Sequence, residues 1–159
     1  MTDSLALPRR AAFAGAGVAL AAAMIGSAKA AESSAPEKTN IEKANVKVVD
    51  DFVKGWAAAD ATGAKLTVLM TDDAEFRYER KAPVTGKAAL TAAFDAYLAG
   101  GKRYLMKPLE THAKGPVVVH FRSETTVTQG AAGATETLVG LFILKDGKIA
   151  SWENFLAEA

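Results

Sequence analysis

The chain has no cysteine. A disulfide framework, a thiolate zinc site and a thiol nucleophile are therefore excluded. Histidine is nearly as scarce. His112 and His120 are the only two, and they form no His-x-x-x-His or similar spacing, so no metal site is expected. Basic runs are absent, and the formal net charge over 159 residues is +1. A nucleic-acid partner has no electrostatic footprint here. No cofactor is expected either. Half of the residues are hydrophobic, enough for one real core, and the length fits one domain plus a targeting segment.

The first thirty residues do not read as fold. Arg9 and Arg10 precede Ala11–Ala28, a charge-free stretch of mostly Ala and Gly, and Ala28-Lys29-Ala30 closes it. A positive start, an apolar middle and an A-x-A site predict a secretory signal peptide over residues 1–30. The arginine pair before a weakly hydrophobic stretch resembles a twin-arginine export signal. The stretch is long enough to span a membrane but poor in Leu and Ile, so no stable anchor is expected after cleavage. Cleavage after Ala30 leaves one more acidic than basic residue. The expected location is periplasmic or secreted. Residues 31–38, small, polar and Pro-containing, read as a linker, which leaves 39–159 as the domain.

Within the domain, Thr39 or Asn40 caps an amphipathic helix expected from Ile41 to Ala59. A short helix over Ala64–Met70 and a turn at Thr71-Asp72-Asp73 follow. Ala74–Arg80 alternates as a strand, with Phe76 and Tyr78 on one face. Lys81–Gly86 reads as a loop, and a second amphipathic helix runs from Gly86-Lys87 to Leu98. Four further strands are expected: Arg103–His112, Val117–Gln129, Thr135–Lys145 and Lys148–Leu156. The Gly130–Gly133 stretch breaks the chain between two of them, and Asp146-Gly147 marks a two-residue hairpin between the last two. Helices on one face of a curved, mostly antiparallel sheet with a mixed edge make an α+β domain. Three helices against such a sheet leave a cone with a central pocket, suited to a small apolar molecule.

The clearest alternation is Val117–Val127, VVVHFRSETTV. One face carries His120, Arg122 and Glu124 at two-residue spacing. Such a row is either a solvated face of an antiparallel sheet or the wall of a cavity that uses an Arg–carboxylate pair. The last strand offers Trp152 and Asn154 on one face. Trp152 reads equally as core or as ligand platform. Tyr97, Tyr104 and Met106 read as packing residues, and His112 as solvated.

Three stretches carry a family resemblance: Phe76–Gly86 (FRYERKAPVTG), Arg122-Ser123-Glu124, and Gly147–Phe155 (GKIASWENF). In this order and spacing, over about Asn45–Leu156, they resemble the nuclear transport factor 2-like superfamily with its SnoaL-like group, and within it limonene-1,2-epoxide hydrolase-like proteins. The resemblance implies a mechanism. An Arg-x-Asp pair and an aspartate of the last strand act together, one acid protonating the epoxide oxygen and the other activating water. Carried over, Arg122 keeps the arginine role and Glu124 supplies a longer acid. Asn154 stands where the water-activating Asp belongs, and Phe76 and Tyr78 stand where a Tyr and an Asn position the water. A carboxamide cannot accept a proton near neutral pH. Hydrolysis then requires Glu124 as base, with His120 as its proton partner.

Two functions remain open at this point. One is an exported hydrolase or isomerase using Glu124, Arg122, His120 and Asn154, in a pocket lined by Phe76, Tyr78 and Trp152. The other is a non-catalytic binding or accessory module that lost its base at position 154. Under either, a homodimer through the sheet is plausible, with Leu138, Leu141 and Ile143 on the exposed side of an apolar strand.

Overall fold

The computed structural model describes residues 39–157. The expected signal peptide and linker lie outside the described residues.

Helix α1 spans Asn40–Gly55. Its start is fixed twice. Thr39 Oγ1 accepts from the Glu42 backbone N–H at 3.2 Å, and Glu42 Oε2 accepts from the Thr39 N–H at 2.7 Å, a capping box. The other Glu42 oxygen accepts from Gly115 N–H at 3.0 Å, and Asn45 Nδ2 donates to Gly115 O at 2.9 Å. These contacts tie the helix to a distant turn. The helix ends four residues before the expected Ala59. Gly55 is a poor helix former, and a side chain there would meet Leu66 Cδ2 at 2.9 Å.

Helix α2 (Gly63–Thr67) is shorter than expected. Gly63 N–H donates to Asp95 Oδ1 at 2.6 Å, and a Cβ at Gly63 would lie 2.1 Å from the Thr91 carbonyl oxygen. The glycine lets α2 dock against α3 (Lys87–Leu98).

Strand β1 runs Met70–Tyr78. It absorbs the expected turn at Asp72-Asp73 through an irregularity between Met70 and Glu75. Val84–Thr85, expected as loop, forms a short strand β2 against β1. A 3-10 turn at Ala99–Gly101 follows α3. Then come β3 (Lys102–Lys114), β4 (Val117–Thr128), β5 (Ala131–Lys145) and β6 (Lys148–Leu156). Strand β5 begins four residues earlier than expected. The turn before it is only Gln129-Gly130, both at positive φ (51° and 86°), and Asp146-Gly147 is its counterpart between β5 and β6 (50° and 73°).

The six strands lie in the order β2-β1-β6-β5-β4-β3. All pairs are antiparallel except β1 with β6. Pro108 is tolerated because β3 is an edge strand, and a register shift follows it. The core lies between the helices and the inner sheet face. Phe52, without exposed surface, is its centre and meets the rings of Trp56, Phe94, Phe142 and Trp152 at 4.9–6.2 Å. Leu138 corrects the expected outer row. It is fully buried on the inner face, whereas Leu141 and Ile143 do face outward.

Phe52→Ala is expected to cost about 3–5 kcal/mol. Ile41→Ala, at a position 69% exposed, should stay within about 0.5 kcal/mol. Urea unfolding of both variants against the wild type measures the difference.

Candidate active site

Strand register assembles the site. Opposite one another on the inner face stand Phe76 and Trp152, Trp152 and Phe142, Tyr78 and Asn154, Asn154 and Gly140, Glu124 and Glu136, and Met106 and Glu124. All of these but Phe142 and Gly140 border a cavity of about 280 Å3, just below the usual size of ligand pockets (roughly 300–1,000 Å3). Its walls are aromatic: Trp56, Phe76, Tyr78, Tyr97, Tyr104 and Trp152. Its polar groups are Glu124, Glu136, Asn154, Thr126 and Lys81. The Lys81 ammonium sits 5.1 Å over the Tyr78 ring.

Behind the wall lies Arg122, with no exposed surface. Its Nη2 donates to Asn154 Oδ1 at 3.0 Å and to Glu124 Oε2 at 3.2 Å, and its Nε donates to the same Oε2 at 3.3 Å. Its guanidinium carbon lies 5.8 Å from the Trp152 ring centre. The row is thus no solvated face. Arg122, Glu124 and Asn154 form one buried cluster, and Glu124 and Asn154 reach the cavity. Gly140 makes room for it. A Cβ there would stand 2.8 Å from Arg122 Nη1 and 3.4 Å from Asn154 Oδ1.

Both Arg122 bonds to Glu124 end on Oε2, and Oε1 has no protein partner among the described residues. Burial pushes the Glu124 carboxyl above its ordinary range. Arg122 opposes that shift, and Glu136 adds to it. Burial also raises the Tyr78 and Tyr104 phenols, with nearby carboxylates adding to the shift. The indole N–H groups of Trp56 and Trp152 are buried in the wall and find no acceptor among the described residues.

His120 stands apart. It shares the inner face of β4 with Arg122, but it does not border the cavity. It lies fully buried, 6.4 Å from the Phe142 ring and with Nε2 4.0 Å from Asp50 Oδ1 of α1. Glu124 therefore does not find its proton partner there. His112 is exposed beside Glu110.

Tyr97, Tyr104 and Met106 do more than pack, since they line the cavity. The alternation of β3 places Tyr104 and Met106 on one face, and pairing with Thr126 and Glu124 shows which. Glu136 lies inside the expected strand Thr135–Lys145, but its partner across the sheet was not readable from alternation alone. With the turn confined to Gln129-Gly130, the hairpin register puts it opposite Glu124.

Burial, with the Arg122 charge adding to it, holds His120 down to about 4 against an ordinary 6.5. Asp50, at the limit of ion-pair distance and partly solvated, does not compensate. The unfolded chain therefore binds this proton more readily between those pH values. Stability from neutral His120 is present above pH 6.5 and falls as pH drops towards about 4, by about 3 kcal/mol in all. Urea unfolding across that window should show the slope, and His120→Leu should flatten it.

A profile of the SnoaL-like domain matches residues 49–152. Among curated proteins, none matches this chain. Among solved structures, it is similar to an LEH-like epoxide hydrolase of M. tuberculosis, at 16% identity and a TM-score of 0.64, over 73% of this chain and 84% of that one. A putative SnoaL-like polyketide cyclase from Jannaschia sp. CCS1 is similar at 21% identity and TM-score 0.63, over 77% and 91% of the two chains. SalBIII, an epoxide hydrolase/cyclase-like enzyme of pyran ring formation in the polyether salinomycin, is similar at 18% identity and TM-score 0.62, over 73% and 92%. At these identities the likeness speaks for the fold, while the profile covers most of the chain. The protein belongs to the SnoaL-like domain family, with the nuclear transport factor 2-like fold.

Proposed function

We propose that the protein is an exported acid–base enzyme that hydrolyses or isomerises a small, largely apolar, oxygen-bearing substrate such as an epoxide. The observation that carries this reading is Glu124: a desolvated carboxyl with one oxygen clamped by buried Arg122 and the other unclaimed, on the wall of an aromatic cavity. A carboxyl raised by burial lies nearer neutral pH, where it exchanges protons efficiently with a substrate. Arg122 orients Glu124 and Asn154 together and contributes no proton of its own. Asn154 holds a substrate oxygen or a water through its amide, because its Oδ1 already accepts from Arg122. The indole N–H groups of Trp56 and Trp152 are spare donors, as is Arg122 Nη1 behind the wall, and a substrate oxygen would satisfy such a donor.

A second reading, a binding module without chemistry, is favoured by Asn154, which cannot take a proton from water. Turnover of styrene oxide, limonene oxide and a lactone panel separates the two. Under the enzyme reading the wild type turns over at least one of them, and Glu124→Gln lowers the rate about 100-fold or more. Gln keeps an acceptor oxygen for Arg122, so the cluster survives the substitution. A silent wild type with activity in Asn154→Asp would instead support the binding module.

The same proposal places the mature chain outside the cytoplasm as a homodimer. Its supports are the Arg9-Arg10 leader with its Ala28-Lys29-Ala30 site, and the outward Phe121, Leu141, Ile143 and Phe155 on the sheet face away from the helices. Among the described residues, no helix is long and apolar enough to cross a membrane. Cell fractionation, N-terminal sequencing and light scattering should return a chain beginning at Ala31 with twice the mature mass. Replacing Arg9 and Arg10 by Lys should leave it unprocessed in the cytoplasm, and a monomeric mass would refute the dimer.

A further inference from the structure

The cavity has one more group able to accept a proton. Its titratable lining residues are Tyr78, Lys81, Tyr97, Tyr104, Glu124 and Glu136. A phenol or an ammonium serves as a proton donor, not as a base. Asn154 is an amide, and His120 is outside the cavity. We propose that Glu136 is a second catalytic carboxylate, the base that activates water while Glu124 acts as the acid. This rests on the acid–base reading of the same cavity.

Three observations support it. First, Glu124 and Glu136 are direct cross-strand partners on one face of β4 and β5, which sets their Cβ atoms about 4.5–5.5 Å apart. Second, a directly opposed like-charge pair is destabilising, and only its Glu124 half is compensated by an ion pair. Arg122 bonds Glu124 and Asn154, and Glu136 has neither an ion pair nor a side-chain hydrogen bond among the described residues. Third, their environments differ. The Glu124 side chain is 14% exposed, whereas Glu136 is exposed at the cavity rim. Two carboxyls in one site, one desolvated and one solvated, divide into acid and base.

For an epoxide the step balances as follows. The Glu136 carboxylate takes a proton from water as the water oxygen forms a bond to a ring carbon. The ring C–O bond breaks, and its oxygen takes the proton of the Glu124 carboxylic acid. The product is a vicinal diol, and the net reaction is epoxide plus water. Glu136 is left protonated and Glu124 ionised. Transfer of one proton from Glu136 to Glu124 through solvent resets the pair.

The test uses the exported protein and two readouts. In the first, hydrolysis of styrene oxide and limonene oxide is followed from pH 4 to 9 in wild type, Glu136→Gln and Glu124→Gln. The wild type should give a bell-shaped profile. Glu136→Gln should lose about 100-fold or more in kcat, together with the acidic limb of the bell. In the second, the Glu124 side-chain carboxyl is titrated by carbon-13 NMR. Its midpoint should fall in Glu136→Gln, because the like charge is gone. Glu136 is exposed, so this substitution removes no buried contact, and the NMR spectrum reports folding directly. Turnover with an unchanged kcat and pH profile in Glu136→Gln overturns the base role and leaves Glu124 chemistry standing. An unchanged Glu124 midpoint overturns the pair itself. A wild type inactive on both epoxides overturns the hydrolytic reading and the base role with it, even where the two carboxyls titrate together.

Discussion

The constraint on which the structure turns is a guanidinium with no exposed surface. Moving an isolated ion of this kind out of water costs on the order of 20 kcal/mol in the idealised limit, and several kcal/mol in real proteins. Arg122 is held by an arrangement that uses three strands. Glu124 lies two residues along the same strand, Asn154 reaches across from β6, and Trp152 offers its ring face. Gly140, on the strand between, must lack a side chain for the arginine and the asparagine to meet. Losing one partner of such a group is expensive, so the cluster is either whole or absent. That is a strong reason for the inner face of this sheet to hold one register.

The same burial sets the chemistry of the cavity. Water is largely kept from Glu124, so its carboxyl is harder to ionise. Arg122 limits that effect and fixes the direction in which the free oxygen points. An acid–base group needs both properties: a proton held near neutral pH, and a position that does not wander. The aromatic wall provides the low dielectric, and the strand ladder provides the rigidity.

Much of the architecture was legible in the sequence because period-two and helical patterns are local. β4, β6, α3 and the Asp146-Gly147 hairpin fall within a residue or two of their expected bounds. The alternation also grouped Arg122 with Glu124, and Trp152 with Asn154. What it did not carry was register between strands. Leu138 looked like part of an outer row until pairing with Arg122 placed it inside. Glu136 sat inside an expected strand, yet only the β4–β5 register puts it opposite Glu124. His120 shares a face with Arg122, yet α1 covers it, and helix placement over a sheet is a tertiary fact. Gly140 was unreadable for a different reason: a glycine in a strand says that something comes close, not what.

The position of β6 has a consequence for the order of events in the life of the chain. It is the last strand in sequence, yet it lies between β1 and β5 and joins the sheet's two halves. A ribosome-bound chain that has emitted everything before Lys148 holds β1 and β2 apart from the β3–β5 meander, with no ladder between them. Trp152 and Asn154 arrive with the joining strand, so Arg122 has no Asn154 to bond until the sheet closes. Closure of the sheet and completion of the site are therefore one late, long-range event, of the kind that folds slowly. A half-made chain exposes two open strand edges, and its site stays incomplete until β6 brings Trp152 and Asn154.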